Sequence, residues 1–161
     1  MSDDIDKKII FIGDLGVGKR TIIHMLLELK ILPFISKKGM ESVIKKGKLS
    51  TSTNIFNAML ISITPDLIMS GKHNSFIHNS NLIVFVVTKF REMLKCKQHI
   101  DALRELSPNV EFCVIANKQD LEESLNPTAA MKFFELPTIG ICAIMPEHRE
   151  TLVNFLNEFI K

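Results

Sequence analysis

The sequence predicts an α/β domain: a single doubly wound, mostly parallel sheet of about six strands flanked by helices. Three observations lead there. Short apolar runs alternate with stretches of helical period. The first run ends in a glycine-rich loop, "GDLGVGK", that opens a helix. No linker, repeat or low-complexity segment divides the 161 residues, so the expectation is one domain spanning 1–161.

The elements follow in order. "KIIFI" (residues 8–12) is short, β-branched and closed by Gly13, which reads as a buried strand. "KRTIIHMLLELKIL" puts Ile22, Met25, Leu26 and Leu29 on one helical face. "ESVIKKGKLS" and "NIFNAMLISIT" look like an antiparallel pair, and "NLIVFVVT" is a fully buried strand. In "REMLKCKQHIDALREL", Cys96, Ile100 and Leu103 share a helical stripe. "VEFCVIA" is another buried strand. Asn126 before Pro127 is a helix start, a cap followed by proline in the first turn. "TIGICAI" reads as the last strand, and Leu152, Phe155, Leu156 and Phe159 as one face of a final helix. Sites in such folds lie at the carboxyl ends of the strands, so the loops after Ile12, Ala116 and Ala143 are the places to search.

Composition narrows the classes. With 46% apolar residues the chain can bury a real core. A net charge of +2 is too small to argue for nucleic acid. Cys96, Cys113 and Cys142 are far apart and form no CxxC, which fits a reduced cytoplasmic chain better than a disulfide scaffold. The five histidines show no metal spacing with them. No apolar run approaches the ~20 residues that span a bilayer. "MSDDIDKK" is not a signal peptide, Ser2 stands where myristoylation needs glycine, and "NEFIK" offers no cysteine for prenylation. Lys37, Lys38, Lys45, Lys46 and Lys48 read first as a solvated face, second as a surface for an acidic partner or lipid.

The loop after the first strand carries chemistry. Gly13, Gly16 and Gly18 let the backbone turn tightly around an anion. The amides of Leu15, Gly16, Val17, Gly18, Lys19 and Arg20 can then point inward as a nest at a helix N-terminus. Lys19 adds a point charge for the outer phosphates. A strand-to-helix turn that binds nothing is the alternative, and the placement between strand and helix favours phosphate. The motif departs in one place. After Lys19 a Ser or Thr should ligate magnesium, but Arg20 stands there and Thr21 comes one place late. A rotation of ~100° per helical residue turns the Thr21 hydroxyl away from the phosphates. Arg20 is permanently cationic and no metal ligand. Two readings of it stay open: a charge standing against the β-phosphate in place of magnesium, or a solvent-facing side chain.

"NKQD" (residues 117–120) follows a buried strand directly. The Asp120 carboxylate can accept hydrogen bonds from guanine N1 and its exocyclic amine, and adenine leaves it unmatched. Lys118 can lay its stem along the base. Asn117 can hold neighbouring loops together. Alone, such a tetrapeptide is a turn; about 100 residues after a phosphate loop it becomes specific.

With both loops, the chain resembles the small GTPases, most closely their Arf-like branch, over nearly its whole length. Arf-like proteins carry "NKQD" in this form and a "CAT" loop where Cys142, Ala143 and Ile144 read "CAI". The resemblance implies a P-loop fold, GTP or GDP as ligand, a guanine loop at 142–144, and an Ala143 amide that meets guanine O6. It also implies protein partners through switch-like regions 36–50 and 62–80.

Against the family pattern, the switch motifs are degenerate. A gapless count from "FVV" (residues 85–87) sets "ISITPD" (residues 61–66) on the family's W-D-V-G-G-Q. Ser62 then replaces the acidic residue that supports magnesium, Thr64 and Pro65 replace two glycines, and Asp66 replaces the glutamine that orients water. Pro65 has no N–H to sense a γ-phosphate. A second register would make Asp66 the acidic residue. The family's magnesium-binding Thr falls near Ser42 or Val43. Leu15 brings a bulky apolar group to the phosphate loop, crowding the space a transition state needs. Magnesium is therefore in doubt, no catalytic residue is assigned, and GTP hydrolysis is expected to be very slow or absent. The functional readings are a guanine-nucleotide-binding protein of impaired hydrolysis, a working switch with unusual groups, or a nucleotide-free pseudo-GTPase serving as an interaction module. A P-loop kinase is disfavoured by "NKQD" and by the lack of a lid segment.

Overall fold

β1 (Lys7–Ile12) sits in mid-sheet because its side chains are apolar on both faces. Ile9 and Phe11 point to one side, Ile10 and Ile12 to the other, and all four are buried. The computed structural model describes residues 5–30, 42–71 and 74–160. After β1 come α1 (Lys19–Leu26), β2 (Ser42–Ser50), β3 (Ile55–Ile63), α2 (Pro65–Met69) and α3 (Asn74–His78). Then follow β4 (Leu82–Val87), a 3₁₀ turn (Phe90–Glu92), α4 (Met93–Leu106), β5 (Glu111–Ala116), α5 (Pro127–Phe134), β6 (Thr138–Gly140) and α6 (His148–Asn157).

The sheet has six strands in the order β2-β3-β1-β4-β5-β6. β2 and β3 are antiparallel and every other pair is parallel. This is the expected α/β layout of a P-loop small GTPase. One face of the sheet is covered by α1 and α6, through Ile22, Leu26, Leu152 and Leu156. The other is covered by α4 and α5, through Ile100, Leu103, Ala130 and Phe134, with Ile68 and Ile77 from the short helices. Each such buried aliphatic side chain contributes about 1.5–3 kcal/mol.

Two expected boundaries move. The first helix ends at Leu26, so Leu29 leaves its face and is exposed. Glu28 adopts a left-handed φ of 56°, its N–H bonds the Met25 carbonyl, and the Leu29 N–H bonds the His24 carbonyl. Arg149 completes this stop, donating from Nε to Met25 O at 3.1 Å and from Nη2 to Leu26 O at 2.9 Å. The last strand is likewise shorter than "TIGICAI": it leaves the sheet after Gly140, so the third site loop begins at Ile141 rather than after Ala143. α2 and α3 have five residues each and were not foreseen, being too short to show a period. The Asn126 cap holds as expected, its Oδ1 accepting from Thr128 and Ala129. Residues 36–41 of the first switch-like region, with Lys37 and Lys38, and residues 72–73 of the second lie outside the described residues, as do residues 31–32 of the first helical stretch.

Candidate functional site

Parallel pairing brings the carboxyl ends of β1, β4, β5 and β6 to one edge of the sheet, and the quoted loops meet there. The phosphate-type loop runs from Gly13 to Gly18. Gly16 and Gly18 have left-handed φ values of 83° and 97°. A Cβ on Gly18 would lie 2.4 Å from Asn117 Nδ2, so only glycine lets this turn pass beneath the base-reading loop. Gly18 is also the N-cap of α1 and brings no side chain to its first amides, leaving that end suited to an anion.

Lys19 is buried and folds back into the loop. Its Nζ donates to the Gly13 carbonyl and to the Asp14 carbonyl, the latter at 2.8 Å. Burial lowers its pKa to about 8; the Asp14 charge opposes the shift and the Arg20 charge adds to it. Arg20 follows on the same turn and is half-buried, with its Nε shielded from water, which argues against the fully solvent-facing reading. Leu15 is 39% exposed and lines a groove of about 480 Å³ with Arg91 and Lys118, on the side of the β4–α4 and β5–α5 loops.

The base-reading half is stitched together. Asn117 is buried at the end of β5, and its N–H bonds the Val87 carbonyl at 2.9 Å. Its Nδ2 donates to Val17 O at 2.9 Å, and its Oδ1 accepts the Ala143 N–H at 3.1 Å. One amide side chain thus ties the phosphate loop to the 142–144 loop, as expected of a residue that holds neighbouring loops. Lys118 takes a left-handed φ of 59° and its Nζ donates to Gly16 O. The Gln119 N–H bonds Ile141 O at 3.1 Å, and its Nε2 donates to Leu125 O at 2.8 Å and Ala116 O at 3.2 Å. Asp120 is exposed, and its Oδ1 accepts the Cys142 thiol at 3.1 Å. Burial, with this bond to Asp120, raises the Cys142 pKa. The Ala143 amide, expected to meet guanine O6, is given to Asn117 in this structure and must share or leave that bond to serve a base.

Between these loops lies a cavity of about 230 Å³, lined by Gly18, Thr21, Asn117, Lys118, Asp120, Leu121, Cys142, Ala143 and Ile144. Its walls are mostly apolar, with the Asp120 carboxylate at the mouth. Ile144 is 63% and Leu121 48% exposed, two apolar side chains left on the rim, suited to a flat ring. Thr21 lines this cavity. Leu121 was not foreseen, although an apolar residue in the polar run "KQDLEES" is a signal that could have found it. His148 was also missed: its Nδ1 accepts the Cys142 N–H at 2.7 Å, and nothing in the sequence announces that.

The opposite flank is different. Ser62 is buried at the end of β3, level with Phe11 of β1 and Val43 of β2, and Ser42 starts β2 opposite Ile63. Thr64 caps α2 and Pro65 is its first residue. Pro65 borders a small cavity with Gly13, Asp14, Val17 and His99, while Asp66 is exposed. Among the described residues, no group of three His, Cys, Asp or Glu side chains converges as a metal site. Nor is any helix there long and apolar enough to cross a membrane.

No family model matches the chain. It is similar to Ras-related protein Rab5 of Nicotiana tabacum, 22% identical over 134 residues that cover 79% of this chain and 64% of that protein. The chain therefore spans just under two thirds of the length of this curated relative. The six-stranded, mostly parallel sheet, its flanking helices and this distant likeness together support a small-GTPase-like protein.

Proposed function

We propose that the chain is a single-domain, guanine-nucleotide-binding homologue of the small GTPases, of Arf-like type, with intact phosphate and guanine loops and impaired magnesium and hydrolysis machinery. It acts as a slow switch or as a nucleotide-stabilised partner for other proteins. The observation that carries this reading is the meeting of Gly18, Asn117, Asp120 and Ala143 around one apolar cavity, more than 90 residues after the glycine loop was made. Leu15, Gly16, Val17, Gly18, Lys19 and Arg20 take the phosphates, and Thr21 lies on the nucleoside side. Asn117, Lys118, Asp120, Cys142, Ala143 and Ile144 take the base. GTP or GDP binds, and the protein relies little on magnesium. Protein partners meet the switch-like regions 36–50 and 62–80.

Protein purified under native conditions and released by heat should yield guanine nucleotide in near-equal amount to protein. Preloaded with GTP and given magnesium, it should release no phosphate in a single turnover on the timescale of an unassisted small GTPase. Brisk release sinks the impaired-hydrolysis part and leaves nucleotide binding standing. A second reading has an observation of its own. The Cys142 thiol donates to Asp120 and the Ala143 amide to Asn117, so groups expected to read a base are engaged within the chain. In that reading the chain is a nucleotide-free interaction module. Heat release of no nucleotide, with no GDP uptake in titration, establishes it instead.

A further inference from the structure

We propose that His148 is a positioning residue for guanine recognition, holding the loop that faces the base by accepting the Cys142 amide. The inference rests on the nucleotide-binding reading above. It starts from where the chain leaves the sheet. β6 ends at Gly140 and is the edge strand beyond β5, so among the described residues no further strand takes the amides that follow. Ile141 still donates to Ala116 O at 3.0 Å. Cys142 is buried, and its N–H goes to the imidazole Nδ1 of His148 at 2.7 Å, short for a bond to nitrogen.

Two more bonds close the segment. The Met145 N–H bonds Cys142 O, and the His148 N–H bonds Met145 O, both at 3.0 Å. The imidazole thus forms one side of a small ring of backbone whose other side lines the base cavity. Glu147, the N-cap of α6, makes no side-chain cap bond, so the tie between this helix and the loop falls to His148. From Cys142 the order passes to the reading group itself, because the thiol donates to Asp120 Oδ1 at 3.1 Å. An amide donor at Nδ1 also fixes the tautomer: Nδ1 carries the lone pair and the ring proton sits on Nε2.

Three proteins test this: wild type, His148→Asn and His148→Leu. Asparagine places its Oδ1 where Nδ1 sits, and leucine fills the volume with no acceptor. Binding is read with GDP and with ADP. The leucine variant should bind GDP about 10-fold more weakly, with its GDP-over-ADP preference reduced by a similar factor. His148→Asn should bind GDP within about twofold of wild type. A variant that merely folds less well weakens both nucleotides together and leaves the preference unchanged. Should His148→Leu not fold, His148→Gln replaces it, its carbonyl lying one bond too far out. Equal GDP affinity in wild type and leucine variant, or an unchanged preference, overturns the role of His148 alone. A wild type that binds no GDP overturns the nucleotide-binding reading, and this inference with it.

Discussion

The two flanks of the candidate site differ in what their polar groups are doing. On the base side, Asn117 and Gln119 each bond two or more separate backbone segments, and Cys142 links His148 to Asp120. The loops there are held at fixed distances, which is what discrimination between two flat bases requires. On the β3 side lie a buried Ser62, Pro65 without an N–H and an exposed Asp66, the residues that the proposed register sets on the family's metal- and water-holding positions. Recognition and hydrolysis need different parts. On the proposed reading, this chain holds the parts for the first in ordered contact and departs from the family pattern in the parts for the second.

The sharpest way to break that comparison is to invert the base specificity. Asp120 is expected to match the exocyclic amine of guanine. Asp120→Asn should exchange preference from guanine toward xanthine diphosphate, with a change in the ratio on the order of 100-fold or more. Isothermal titration with both nucleotides measures it. Equal GDP and ADP affinity in the unmodified protein removes the base-reading side of the comparison altogether.

Arg20 comes next. It is half-buried beside Lys19, close enough for its charge to lower the lysine's pKa. If it takes the place of magnesium against the β-phosphate, GDP affinity should be nearly insensitive to EDTA. Arg20→Ala should weaken binding roughly 10- to 100-fold, the worth of a charge-assisted hydrogen bond. Binding that collapses in EDTA while Arg20→Ala binds as well as wild type would return the metal to the site.

Lys19 sets a smaller effect with a defined sign. Its pKa of about 8 in the free protein comes first from burial, which disfavours the charged ammonium. A phosphate nearby favours the charged ammonium and raises that value. Below pH 8 the lysine is charged in both free and bound protein, so affinity is flat. Above it the free protein must take up a proton to bind, so affinity falls, by up to about tenfold per pH unit. Lys19→Arg should flatten the slope, because arginine stays charged. A wild-type affinity independent of pH between about 7 and 9.5 would show that Lys19 does not meet the phosphates.

What the sequence made legible was local. Continuous apolar runs marked β1, β4 and β5, and Asn126-Pro127 marked the start of α5, because strand burial and capping are written in adjacent residues. The placement of the glycine loop and of "NKQD" was legible too, since each follows its strand directly. What failed was set from afar. The end of α1 depends on Arg149, which lies more than 120 residues away in sequence. β6 is the edge strand among the described residues and stops at Gly140, where "TIGICAI" is as apolar after as before. The bond of His148 to Cys142 depends on a loop closing upon itself, which no periodicity records.

The smallest effect tests whether the Pro65 flank is acid-sensitive. His99 on α4 borders the cavity shared by Pro65 and Asp14. Burial lowers its pKa, and the Lys95 charge lowers it further, while Asp14 and Asp66 pull the other way without overcoming the shift. A histidine whose folded pKa is lowered is protonated first in the unfolded chain. As pH falls through the ordinary imidazole value of about 6.5, the unfolded state gains the proton and stability drops. The loss is complete once pH is below the lowered folded value. His99→Gln removes this proton from the balance. Its melting temperature should therefore fall less than that of wild type between about pH 7.5 and pH 5.5, above the range where carboxylates titrate. Parallel curves for the two proteins would mean that protonation of His99 costs the folded state nothing.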